Sequence, residues 1–148
     1  MESISVDEGE TAVPDAPRLR ASYALEAEGA WIAQARHFAA EFLGRARTRD
    51  GLPVPERVVE ITQLVVSELV TNARKYAPGP VELDLRVFGD AVEVVVHDGN
   101  PEAPLPRNAD PDRVGQHGLE IVMAVAEALD VRQEAEGKSI TARIALSA

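Results

Sequence analysis

The apolar residues of this chain recur with two periods, and the change from one to the other separates helices from strands. In GAWIAQARHFAAEFLGRA (29–46), Trp31, Ile32, Ala35, Phe38, Ala39, Phe42 and Leu43 return every three to four residues, which predicts an amphipathic helix. TRDGLPVPE (48–56), with one Gly and two Pro, reads as a loop. A second helix is predicted from Glu56 to Tyr76. It is apolar around most of its circumference and is stopped by Ala77-Pro78-Gly79-Pro80, because proline disfavours a helical residue before it.

The period then falls to two. VELDLRV (81–87) alternates Val81, Leu83, Leu85 and Val87 against Glu82, Asp84 and Arg86, and AVEVVVHD (91–98) alternates Val92, Val94 and Val96. Gly89-Asp90 joins these two strands as a tight hairpin turn. A third helix is predicted over GLEIVMAVAEAL (118–129), followed by strands in DVRQEAEG (130–137) and KSITARIAL (138–146) around a turn at Glu136-Gly137. RLRASYALEA (18–27) is a first strand of weaker alternation.

The predicted order is therefore strand, helix, helix, two strands, helix, two strands. Strands with one polar face belong to a sheet covered on one side only. The expectation is an α+β fold, a two-layer α/β sandwich whose mixed, mostly antiparallel sheet carries its helices on one face. The organisation expected is a flexible acidic leader over 1–18 and one domain over 19–148.

Composition narrows the function classes. A formal charge of −10 with no basic stripe argues against nucleic acid as the main partner. No apolar run approaches the roughly 18–20 residues that cross a bilayer, and the N-terminus has no signal-peptide pattern, so neither membrane insertion nor secretion is expected. The chain has no Cys, which excludes disulfides and thiolate metal sites and fits a cytoplasmic protein.

Three places break the local rules. Glu68, Asn72 and Lys75 share one stripe of the second helix, where a carboxylate, an amide oxygen and an ammonium suit a divalent cation holding a polyphosphate. In that reading Asn72 is a hard oxygen ligand for Mg²⁺, Lys75 neutralises phosphate and Glu68 takes a proton from a hydroxyl or a water. The plainer reading is a stripe facing solvent. Second, Asp98-Gly99 at a strand's C-terminal end puts a fixed acceptor at the rim of the sheet, or is merely a strand-ending turn. Third, GQHGL (115–119) precedes a helix and can aim backbone N–H groups at an anion, or can simply be hydrated. His37 and His97 have no metal-ligand company, and Trp31, Phe38 and Phe42 either pack the first helix on the core or offer a partner contact.

The order of these places is more specific than any one of them. ELVTNARKYA (68–77) resembles the N box of the GHKL ATPases, the family that includes histidine-kinase catalytic domains and gyrase-type ATPases. HDGNP (97–101) and GQHGL resemble its two glycine boxes, and GKSIT (137–141) falls where the family has its last Gly/Thr contact. Within the family the chain is most similar to small stand-alone ATP-binding proteins of the anti-sigma-factor serine/threonine kinase type.

The resemblance implies ATP and Mg²⁺ as ligands, with Asn72 on the metal and Lys75 near the phosphates. It implies Asp98 as acceptor for the adenine amino group and Gly99 as the point where backbone passes the base. Gly115, His117, Gly118 and Leu119 would present amides to the phosphates, Ser139 or Thr141 would lie near the adenine side, and Glu68 would be the general base. The implied partners are a sigma factor and a STAS-type anti-sigma-factor antagonist that is phosphorylated on Ser or Thr, with homodimerisation by analogy. Two alternatives accompany it: an ATP-binding module that signals by contact alone, and a detached histidine-kinase catalytic domain, although the length leaves no room for a phosphoacceptor domain. Three departures stand out: Asn100-Pro101 replace a second glycine of the first box, Tyr76 stands where the anti-sigma-factor branch often has His, and the lid, 102–114, is short and proline-rich.

Overall fold

The computed structural model describes residues 16–25, 29–76, 79–99, 116–135 and 137–147, with backbone alone at 76, 116 and 117. Most of the leader, Asn100-Pro101, the lid at 102–114, Gly115 and the side chain of His117 lie outside the described residues. The elements are β1 (Leu19–Leu25), α1 (Trp31–Thr48), α2 (Glu56–Tyr76), β2 (Val81–Val87), β3 (Ala91–Asp98), α3 (Gln116–Val125), β4 (Ala128–Glu134) and β5 (Gly137–Ala145).

The strands form one five-stranded sheet in the order β1-β2-β3-β5-β4. Every pairing among the described residues is antiparallel, in keeping with the mostly antiparallel sheet expected. The hairpin between β2 and β3 closes through the Phe88 N–H on the Ala91 carbonyl at 2.7 Å, around the expected Gly89-Asp90 turn.

Register decides what each face carries. Leu83, Val96 and Ile140 lie side by side across β2, β3 and β5, as do Leu85, Val94 and Ala142, and all are buried. These rows pack against Ala39, Phe42 and Leu43 of α1 and Val65, Leu69 and Val70 of α2 in a single core. Successive side chains alternate across a strand, so the intervening residues form a polar face with no helix on it among the described residues.

Helix α2 is the centre of the helical layer and touches α1, α3, β2, β3 and β5. That explains its wide apolar circumference: one side meets the sheet while its flanks meet two helices. The aromatic residues of α1 turn inward too. Phe42 is fully buried, Phe38 stacks on Tyr23 with ring centroids 5.0 Å apart, and Trp31 lies under the Arg74 guanidinium at 5.4 Å.

The end of α3 differs from the periodicity. The helix stops at Val125, four residues early, and Leu129 belongs to β4 instead. Ala126 donates the last helical bond, to Val122 at 2.8 Å, and the next N–H, that of Glu127, bonds the Arg143 carbonyl at 2.8 Å. Pairing with β5 thus captures a stretch whose residues are good helix formers. β4 is consequently an edge strand, mostly exposed and charged, as open sheet edges commonly are. No helix among the described residues is long and apolar enough to cross a membrane.

Candidate functional site

Helix α2 presents its three singled-out residues to different degrees. Asn72 is 3% exposed, Glu68 is partly buried and Lys75 is exposed in the last turn. The Asn72 Nδ2 atom is buried with no hydrogen-bond partner among the described residues. A buried amide with an unmet polar atom is costly, and a group outside the described residues can offset that cost.

Glu68 reaches across to α3. A Cβ built on Gly118 would lie 2.7 Å from Glu68 Oε1, so the carboxylate fills the space over that glycine. The N box and the second glycine box therefore meet side chain to backbone at the first turn of α3, the end of a helix that favours negative charge. Leu119, next along, is buried in the core and anchors this turn.

Asp98 stands on the helix-covered face, because it continues the row of Val92, Val94 and Val96. Its register partner on β5 is Lys138, and the two form a buried ion pair. Lys138 Nζ donates to Asp98 Oδ1 at 3.1 Å and lies 3.0 Å from Oδ2, with both side chains 1% exposed. Gly99, beyond the strand end, is exposed.

Gly137 holds this end of the sheet together by having no side chain. A Cβ there would fall 1.9 Å from the Asp98 carbonyl oxygen and 2.9 Å from Gly99 Cα. The backbone of the first glycine box and that of GKSIT thus run in closer contact than any side chain permits.

Ser139 and Thr141 go the other way. The pleat turns them onto the open face, where with Arg86, His97, Arg132 and Glu134 they line a cavity of about 390 Å³. Register pairs Asp98 with Lys138 on β5, and neither Ser139 nor Thr141 lies directly across from it. Sequence reasoning passed over Lys138, yet a signal was present, since a lysine there heads the inward row Ile140, Ala142, Ile144.

The open face has its own charge order. Ser22 donates to Asp84 Oδ1, Asp84 Oδ2 lies 3.3 Å from His97 Nε2, and His97 Nδ1 lies 3.6 Å from Glu134. Arg143 meets Glu127 at 2.9 Å, Glu93 at 3.1 Å and Asp90 at 2.8 Å. Burial pushes the Arg143 guanidinium down, but the hydrogen bond to Glu127 and the charges of Asp90 and Glu93 outweigh it and hold it above the usual arginine value. No cluster of three or more His, Cys, Asp or Glu side chains suited to a metal ion occurs among the described residues.

A family model described as the histidine kinase-like ATPase domain matches residues 25–144, and the chain belongs to that family. No curated protein matches the chain. Among solved structures it is similar to the histidine kinase domain of the blue-light activated histidine kinase EL346 from Erythrobacter litoralis, at 19% identity and a TM-score of 0.47. That alignment covers 76% of this chain and 61% of the other, so the chain spans about three-fifths of the domain it resembles.

The side chains present suit the Mg-ATP that the family implies. The unmet amide of Asn72, the acceptor Asp98 and the glycine turn under Glu68 belong to elements packed on the same side of the sheet. Since amide oxygen and nitrogen are assigned only from their partners, the Asn72 group can turn its oxygen toward a cation.

Proposed function

We propose that this protein is a regulatory ATP-binding protein of the anti-sigma-factor type, which transfers the γ-phosphoryl group of Mg-ATP to a Ser or Thr hydroxyl of an antagonist protein. The observation that carries this reading is the Asn72 amide, buried and unmet one turn from Glu68. Asn72 would hold Mg²⁺, Lys75 would approach the phosphates, and the Gly118 and Leu119 amides, with those of Gly115 and His117, would face them. Asp98 accepts from the adenine amino group.

Glu68 is the general base in this scheme. Its carboxylate takes the proton of the acceptor hydroxyl as that oxygen bonds the γ-phosphorus, and the bond to the bridging oxygen of the leaving ADP breaks. The partners follow from the same reading: a sigma factor that is sequestered, and a STAS-type antagonist that is phosphorylated in the cytoplasm. A homodimer is part of the same proposal.

The test is incubation with γ-labelled Mg-ATP and STAS-type antagonist domains. Wild type should label the antagonist in an acid-stable form, and Glu68→Gln should label about 10²–10⁴-fold more slowly while still binding ATP. Equal labelling by both proteins would remove the role of Glu68. An acid-labile product would favour the detached histidine-kinase reading instead.

One observation favours a second reading. Glu68 already rests against Gly118, in contact with α3. A carboxylate seated there suits an ATP-binding module that signals by contact without transfer, and tight Mg-ATP binding with no labelled product would support it.

A further inference from the structure

The buried pair on β3 and β5 goes beyond the residues that the family motifs name. We infer that Lys138 is a positioning residue that sets base specificity, by holding Asp98 as a pure hydrogen-bond acceptor. The inference rests on the nucleotide reading above.

The geometry is tight. Lys138 Nζ lies within 3.1 Å of both Asp98 oxygens, with neither side chain more than 1% exposed. Register places the two residues directly across from each other, and the bare Gly137 lets the Asp98 carbonyl approach where a Cβ would clash at 1.9 Å. Neither partner can drift far, because the backbones that carry them are locked together.

The chemistry follows from what a carboxyl group offers in each state. An ionised carboxylate only accepts, whereas the protonated acid carries one O–H donor. A carboxylate removed from water is costly unless a counter-ion is at hand. Lys138 supplies that charge from within the strand pair, so Asp98 faces a base as an acceptor on both oxygens. An acceptor suits the exocyclic amine of adenine and rejects the carbonyl that replaces it in hypoxanthine. Without Lys138, the carboxylate loses the contact that fixes both its oxygens, and the distinction between amine and carbonyl weakens.

A merely structural ion pair predicts something else. Its loss would loosen the strand ends and lower affinity for every nucleotide alike. The base preference therefore separates the two roles.

The experiment is calorimetric titration of Mg-ATP and Mg-ITP into wild type, Lys138→Met and Lys138→Arg. Wild type should prefer ATP, Lys138→Met should lose about tenfold or more of the ATP-to-ITP ratio, and Lys138→Arg, which keeps the charge, should retain it. If Lys138→Met does not fold, Lys138→Gln takes its place with the same expected loss. Wild type that prefers ATP, with an unchanged ratio in the neutral variant, would overturn the role of Lys138 and leave the nucleotide reading intact. Wild type indifferent to the base would overturn it as well. Wild type that binds neither nucleotide would overturn the nucleotide reading and this inference together.

Discussion

Glu68 rests on Gly118: its Oε1 sits 2.7 Å from where a methyl group on that glycine would be. The contact joins the middle of α2 to the first turn of α3 and puts the proposed base at the helix end where phosphates are expected to arrive. It also gives an unusual separation of stability from activity. In Gly118→Ala the clashing atom is the far end of a flexible side chain, and alanine is about 1 kcal/mol better than glycine within a helix. Melting should therefore stay the same or rise slightly, while phosphotransfer falls because Glu68 is displaced. Thermal denaturation alongside a labelling assay checks both halves.

Gly137→Ala behaves oppositely. Its new methyl meets backbone, the Asp98 carbonyl at 1.9 Å, and backbone cannot swing aside. Overpacking of this kind costs about 1–3 kcal/mol or more, which denaturant unfolding would read as a lower midpoint at unchanged slope.

The Asp98–Lys138 pair makes a non-additive prediction. Removing one charge takes from the other its buried ionic partner at about 3 Å, so Asp98→Asn alone should cost about 3–5 kcal/mol. Asp98→Asn combined with Lys138→Met should recover most of that loss. A double-mutant cycle in denaturant measures the coupling, and simple additivity would speak against a buried ion pair.

The open face should be separable from the nucleotide. Asp84 is 5% exposed and receives Ser22 and His97 on the side of the sheet away from the helices. Asp84→Ala leaves those groups without their acceptor and should destabilise by about 1–3 kcal/mol, with little change in ATP affinity at a temperature where the protein is folded. A titration showing a large affinity loss would mean the two faces are coupled.

Much of this arrangement was legible along the chain, for identifiable reasons. The change of period from helical to alternating marked α1, α2, β2 and β3, because each buries one face against the same core. The stripe of Glu68, Asn72 and Lys75 was visible as well, but its unequal burial was not. Asn72 points into the packed layer while Lys75 lies in the exposed last turn, a difference that only the neighbours of α2 create. The end of α3 was hidden because GLEIVMAVAEAL contains nothing that breaks a helix; the Arg143 carbonyl that claims Glu127 comes from a distant strand. The placement of Ser139 and Thr141 followed a motif, whereas the parity of β5 against Ile140 and Ile144 decides which side chain faces Asp98. Lys138 was readable from that parity alone.

A Mg-ATP site built on Asn72 underlies the proposed function, and calorimetric titration of Mg-ATP into wild type and Asn72→Ala is its decisive test. Wild type should bind one Mg-ATP per chain, and the variant should lose about tenfold or more in affinity without a comparable loss of fold. Absence of Mg-ATP binding in wild type, or equal binding by the two proteins, would contradict it.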